Sequence, residues 1–176
     1  LLKALDVHVV GLAAEQPHDE VVVIAKDSRK PPTAPGNALG IVCAVPYLRD
    51  RDVRQVAPGE SVEDKSRKLV EGIVRHYQEV GTSAAGLRDA LTSGEHPAAA
   101  APLPIVGVGH LFAAGGRTVE GDGVRELYVG SLAQVPADAF PSCFDYVALG
   151  HLHVPQTVGR RETVRYSGSP LPIGFG

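Results

Sequence analysis

The stretch DYVALGHLH at residues 145–153 is a short apolar run that ends in a glycine and two histidines. A second run, LPIVGVGH at residues 103–110, ends in the same way. Short, nearly all-apolar runs are typical of strands that are buried on both faces of a sheet. Ligands of α/β folds gather at strand ends, and glycine there lets the backbone come close to what is bound. If the two runs form neighbouring strands, their ends bring together His110, His151 and His153.

The rest of the pattern predicts a single α/β domain. Residues 20–25 and 38–45 are apolar runs around a Pro- and Gly-rich separator, which predicts a hairpin with a flexible loop at 28–37. Ser61, with Asp64 three residues later, is typical of a helix start, and an apolar stripe behind it predicts a helix of about 18 residues.

Weaker signals predict the remaining elements. These are a short strand at 7–10, a short helix near 87–91, a flexible linker at 94–101, a glycine-rich loop at 113–123, a strand at 126–129, a helical turn at 137–140 and a closing hairpin of 156–158 with 163–166.

Composition excludes some classes of protein. The chain has 176 residues, 44% of them apolar, and a formal charge of −3, so it lacks the global basic character of many nucleic-acid binders. Cys43 and Cys143 lie in separate apolar runs, which favours reduced thiols over a disulfide.

No run is long enough to span a membrane and no signal peptide is visible, so we expect a cytoplasmic protein. Because the chain contains no methionine and ends on an apolar run, we expect it to be a piece of a larger protein.

Three imidazoles at matched strand ends indicate a metal site. Imidazole binds zinc, manganese, iron and nickel, and a pair of such ions can clamp a phosphate and activate water for in-line attack. Three histidines alone do not complete a two-metal site, because such a site normally needs a bridging carboxylate. On the residues alone, a mononuclear zinc hydrolase with three histidine ligands stays open as an alternative, as does a non-catalytic docking or dimerisation module.

Several stretches of the sequence resemble the calcineurin-like metallophosphoesterases, and among them the SbcD-type nucleases. The resemblance is strongest from residue 102 onward. It is carried by AVPYLRDRD (44–52), PLPIVGVGHL (102–111), RELYVGSL (125–132), DYVALGHLH (145–153) and VRYSGSPLP (164–172).

The resemblance implies a fold and a site. The fold is a four-layer sandwich of two mixed sheets flanked by helices, of which residues 1–176 form the C-terminal part, with the N-terminal portion missing. His110 and His151 are expected on one Mn²⁺ ion and His153 on a second. In the family, the D-x-H, G-D and G-N-H-D motifs precede the region that matches here, so the catalytic residues are expected upstream of Leu1 and the chain alone is expected to be inactive.

The resemblance also implies an activity and partners. It implies an exonuclease and endonuclease that cuts DNA phosphodiester bonds in repair, recombination and replication. The expected partners are DNA, a coiled-coil ATPase subunit of the SbcC type and a second copy of the full-length protein. No association with a membrane is expected.

Further residues are candidates of lower weight. Gly115 and Gly116 follow His110 at the expected rim of the cleft, and Ser167 and Ser169 are near the site in the family, although turn formation explains all four equally well. Arginines at 49–54 and 160–165 are candidates for contact with DNA, but a solvated surface is the simpler interpretation. The remaining histidines are interpreted as structural; they are His8, His18, His76 and His96.

Overall fold

The computed structural model describes residues 7–55, 57–93, 102–116 and 134–171. Its strands are β1 (Val21–Ala25), β2 (Ala38–Ala44), β3 (Ile105–His110), β4 (Tyr146–Gly150), β5 (Gln156–Val158) and β6 (Arg161–Tyr166). Its α-helices are α1 (Asp50–Val53) and α2 (Val62–Thr92), and 3-10 turns lie at Pro17–Glu20 and Ala137–Ala139. The predicted α/β class is therefore confirmed.

The strands form one mixed sheet in the order β1-β2-β3-β4-β6-β5. The two end pairs, β1 with β2 and β5 with β6, are antiparallel, whereas β2, β3, β4 and β6 run parallel to their neighbours. Parallel neighbours need a crossover connection, and α2 supplies it between β2 and β3. The prediction that the two histidine-ending runs are neighbouring strands is confirmed.

Both predicted hairpins form. The β1–β2 connection is organised by the buried Asn37, whose amide donates to the carbonyls of Asp27 and Pro31 and whose carbonyl accepts the Asp27 N–H. The flexibility predicted for residues 28–37 stays a prediction. The linker predicted at 94–101 and the strand at 126–129 lie outside the described residues, as does most of the loop at 113–123.

Helix α2 is longer than the sequence predicts. Ser61 caps it as expected, since its side chain accepts the Asp64 N–H at 3.0 Å. The helix then runs for 31 residues through Gly81, so the prediction of an 18-residue helix followed by a separate short one is wrong. Packing explains the difference, because a Cβ at Gly81 would lie 2.7 Å from Pro141 Cγ. At this position glycine permits close contact with the rest of the fold, and that contact outweighs its low helix propensity.

The sheet is buried on one face and open on the other. Along β3 and β4, alternate residues such as Ile105, Val147 and Leu149 are buried in the core with α2, whereas Val108 and Tyr146 on the opposite face are each 37% exposed. The prediction that these strands are buried on both faces is therefore wrong for this chain. The open face carries apolar side chains from β1 to β4.

Two further outcomes concern the strand predicted at residues 7–10 and the search for membrane-spanning helices. Residues 7–10 form no strand, and Val7 and Val9 are exposed. Within the described ranges, none of the helices combines the length and the apolar character that crossing a membrane requires.

Candidate metal centre

The register of β3 and β4 brings two of the predicted ligands together. His110 is the last residue of β3 and pairs with Gly150, so His151 follows directly beside it. His110 Nε2 lies 3.3 Å from His151 Nδ1, and the ring centroids are 5.1 Å apart. Two nitrogens bound to one tetrahedral ion, each about 2.1 Å from it, are about 3.4 Å apart. The pair therefore fits two ligands of a single divalent ion.

The protonation of both rings suits metal binding. His110 reaches solvent on one side, but partial burial of its ring still lowers its pKa. The pKa of His151 is lowered first by burial and then by repulsion from His110 and His153. Both rings are therefore neutral at pH 7. To bind one ion with the facing nitrogens, His110 must carry its proton on Nδ1 and His151 on Nε2.

The third predicted ligand, His153, follows His151 by two positions and contributes to the lowering of its pKa. Its backbone carbonyl accepts the N–H of Ser169 at 2.9 Å. Within the described residues, no group of three or more His, Cys, Asp and Glu side chains could hold an ion. The structure thus pairs His110 with His151, and ligation by His153 stays a prediction.

The backbone of His151 is strained. Its φ is 108°, and it is the one non-glycine residue with positive φ in the part of the chain that the structure describes. Such conformations cost of order 1–3 kcal/mol and concentrate at functional sites. Gly150 lies on the same face as His110, and a Cβ there would lie 3.1 Å from His110 Nδ1. Glycine before the strained histidine thus leaves room for the neighbouring ring.

Gly109 has a different role from the one predicted. It faces the core, where a Cβ would overlap the hydroxyl oxygen of the buried Tyr77 and lie 3.1 Å from its Cζ. The glycine therefore admits a core tyrosine of α2, and close approach to a bound ligand does not explain it.

Tyr166 fixes the backbone that follows His110. Its hydroxyl donates to the Leu111 carbonyl and accepts the Ala113 N–H, both at 2.8 Å. The side chain is buried, and burial raises its pKa to about 12, so the hydroxyl keeps its proton and donates. Sequence reasoning missed this contact, because it joins residues more than 50 positions apart.

Two aromatic rings flank the histidine pair. Tyr47 meets His110 edge-to-face with 6.0 Å between centroids, and Phe112 meets His151 in the same way at 6.2 Å. Such contacts contribute roughly 0.5–1.5 kcal/mol beyond burial. Tyr47 belongs to the stretch at 44–52 and Phe112 follows His110 by two positions. Neither position in the sequence indicates by itself a contact with one of the two histidines.

A cleft of about 640 Å³ opens beside the pair, between α2 and residues 46–54. Its charged lining comprises Arg49, Arg54, Lys65 and Asp50. The Arg54 side chain is only 7% exposed, because it is paired with Asp50 and Glu60. Arg54 is therefore neither a solvated residue nor a free contact for DNA.

Comparison with known proteins identifies relatives among bacterial nucleases. The SbcD component of the nuclease SbcCD from Escherichia coli (strain K12) is 36% identical over 156 residues, which cover 87% of this chain and 36% of the relative. Its counterpart in Rhodobacter capsulatus is 33% identical over 98% of this chain and 38% of its own length. That of Bacillus subtilis is 45% identical over 71 residues, 40% of this chain and 18% of the relative.

By sequence, this chain belongs to the SbcD family. No family model matches it. The chain spans a little more than a third of the length of the Escherichia coli and Rhodobacter relatives.

The substrate-proximal residues inferred from the SbcD family form turns. The N–H of Gly116 donates to the Ala113 carbonyl, and a Cβ on Gly116 would lie 2.6 Å from Leu152 Cδ1, while Gly115 has a φ of 85°. The hydroxyl of Ser167 donates to the Gly168 carbonyl, and that of Ser169 to the Leu171 carbonyl at 2.6 Å. Local structure thus accounts for all four, and contact with substrate stays a prediction.

The structure describes three of the four other histidines. His76 Nε2 is 2.8 Å from a carboxylate oxygen of the buried Glu20, which confirms its structural interpretation. His18 lies 3.5 Å from Asp19 on the surface. His8 is exposed and His96 lies outside the described residues.

Proposed function

We propose that this chain is the C-terminal part of the phosphodiesterase domain of an SbcD-type nuclease, and that it supplies half of a dinuclear metal site. The observation that carries the proposal is the 3.3 Å pairing of two imidazole nitrogens at the ends of adjacent parallel strands. The substrate is DNA, the reaction is hydrolysis of a phosphodiester bond in exonuclease and endonuclease modes, and the metal is Mn²⁺.

The residues of this chain hold and orient the site. His110 and His151 bind one ion through their facing nitrogens, and His153 binds the second. Tyr166 holds the backbone after His110, while the flanking rings of Tyr47 and Phe112 restrict the imidazole planes. When bound, the ions would supply Lewis-acid activation of water and would offset the negative charge of the reacting phosphate. The carboxylate ligands of such a site would come from polypeptide outside this chain, because the family's D-x-H, G-D and G-N-H-D motifs precede the region that matches here.

The open face of the sheet supports the proposed sandwich. Val108 and Tyr146 expose apolar surface on this face, where Val42 and Val106 are half-buried. A sheet face that carries apolar side chains is normally covered by another layer of the fold. We propose that the second mixed sheet of the metallophosphoesterase sandwich packs here, which would bring the missing ligands to the edge that bears His110.

The names of the relatives support the proposed partners. Each name describes one component of a larger nuclease, SbcCD. We therefore propose a coiled-coil ATPase of the SbcC type as partner, with a homodimer of the full-length SbcD-type protein. A cytoplasmic location stays a prediction.

The test is a nuclease assay on the protein expressed from its complete natural reading frame, with Mn²⁺ and a linear DNA duplex. We expect His110→Ala and His151→Ala each to reduce DNA cleavage by at least a hundredfold, because each removes one ligand of the same ion. His18→Ala, on the surface away from the pair, is the matched control and should cleave normally.

Other outcomes would favour the alternatives. Hydrolysis by residues 1–176 alone with one tightly bound zinc would support the mononuclear three-histidine enzyme. Full partner binding with no metal-dependent cleavage by the complete protein would support the docking module. Normal cleavage by both histidine variants would contradict the proposed site.

A further inference from the structure

The cleft beside the histidine pair has the features of a ligand site. We propose that it is a nucleoside subsite, which takes the terminal nucleoside of a DNA strand whose phosphate lies at His110 and His151. This inference rests on the proposed function and names the part of the substrate that the site recognises besides phosphate.

The size and the walls of the cleft suit a nucleoside. Its volume of about 640 Å³ lies within the range of roughly 300–1,000 Å³ that is common for small-molecule sites. Leu69 and Ile73 of α2 line one side, and Tyr47 and Phe112 line the side nearer the histidines. These walls are mainly apolar, which favours a flat base over an ionic ligand.

Tyr47 is the best-placed stacking surface in the cleft. Its side chain is 50% exposed even though it contacts His110, so it offers ring area to a ligand next to a proposed metal ligand. Base stacking on aromatic side chains is a sequence-tolerant way to bind single-stranded ends, because every base has a π face. A nuclease that removes successive nucleotides needs such tolerance.

The charges of the cleft complement a nucleotide. Its lining contains three cationic side chains and one carboxylate, in a chain whose formal charge is −3. Arg49 and Arg54 are paired with neighbouring carboxylates, whereas Lys65 forms no ion pair with a described residue. Lys65 therefore adds a positive charge to the lining that complements the negative charge of a phosphodiester.

The histidine pair and the apolar walls belong to one cleft. His110 and His151 line the same cleft as Leu69 and Ile73. A nucleoside attached to a phosphate at the histidine pair therefore adjoins the apolar walls of this cleft. The predicted preference is for phosphodiesters that carry a nucleoside over those that carry two simple aryl groups.

The experiment compares two substrates of the complete, Mn²⁺-loaded protein. One is the p-nitrophenyl ester of thymidine 5′-phosphate and the other is bis(p-nitrophenyl) phosphate, which lacks a nucleoside. We expect Tyr47→Ala to lower kcat/KM roughly tenfold more for the thymidine ester than for the second substrate, mainly through KM, because only the thymidine ester carries a base that stacks on the ring. Tyr47→Phe keeps the ring and should restore the preference.

Two controls guard against general damage to the fold. Tyr146→Ala removes a tyrosine that is also partly exposed but lies on the open sheet face, and it should not change the ratio between the substrates. Thymidine itself should inhibit the unsubstituted protein competitively and should inhibit Tyr47→Ala at least fivefold more weakly.

The failures of the two proposals are distinguishable. If the unsubstituted protein hydrolyses neither ester, the proposed function fails and the subsite fails with it. If it hydrolyses both, and Tyr47→Ala lowers both by the same factor or leaves thymidine inhibition unchanged, only the nucleoside subsite is overturned. That second result would mean that polypeptide of the complete protein fills the cleft.

Discussion

Replacing Gly109 by alanine tests why a glycine precedes His110. The added Cβ would overlap the hydroxyl oxygen of Tyr77, which is attached to a rigid ring that is only 1% exposed. Because the ring is rigid and buried, we expect a loss of about 3 kcal/mol in the free energy of unfolding, at the upper end of the usual cost of overpacking.

A second substitution separates this cause from others. Tyr77→Phe removes the overlapping oxygen and leaves Cζ as the nearest ring atom, 3.1 Å from the new Cβ, which a small shift accommodates. Alone it should cost about 1 kcal/mol for the lost hydroxyl. The double variant should therefore be more stable than the sum of the single effects predicts, by about 1–2 kcal/mol.

The assay is urea denaturation followed by circular dichroism, on the four proteins of this double-mutant cycle. Simple additivity of the two substitutions would refute the packing explanation. So would a Gly109→Ala variant of normal stability with weakened metal binding, because that result would mean that the glycine makes room for a bound ligand.

Three further predictions concern the same site. Tyr166→Phe leaves the Leu111 carbonyl and the Ala113 N–H without their partner, so the free energy of unfolding should fall by about 2 kcal/mol in urea denaturation; a change below about 0.5 kcal/mol would contradict the clamp. His151→Gly should be more stable than His151→Ala by about 1 kcal/mol, the reverse of the usual order, because glycine relieves the positive φ; the usual order would argue against strain. The pKa of both His110 and His151 is lowered by folding, so below about pH 6.5 the unfolded chain takes up protons first and the metal-free protein should lose stability on acidification. His151→Gln should flatten this dependence in denaturation curves between pH 7 and 5, and an unchanged slope would contradict it.

The strand ends and the histidine pair were predictable because they follow from local pattern. Apolar runs that end in glycine and histidine indicate both a strand and the place where it ends, and parallel neighbours align their ends. The cap at Ser61 and the two hairpins were predictable for the same reason, since each depends on a few adjacent residues.

What escaped prediction depends on contacts between distant residues. The length of α2 follows from the packing of Pro141 on Gly81, and the role of Gly109 follows from Tyr77, 32 positions earlier. The strained backbone of His151 could not be predicted from residue type, because positive φ is uncommon for any residue other than glycine. Likewise, the apolar content of β3 predicted burial on both faces, but composition does not specify which part of a protein covers the second face.

The most direct measurement of the central claim is an anomalous-difference map from crystals of the complete protein grown with MnCl₂. The account predicts a manganese peak within bonding distance of both His110 Nε2 and His151 Nδ1. Manganese bound elsewhere, with these two nitrogens still hydrogen-bonded to each other, would contradict it.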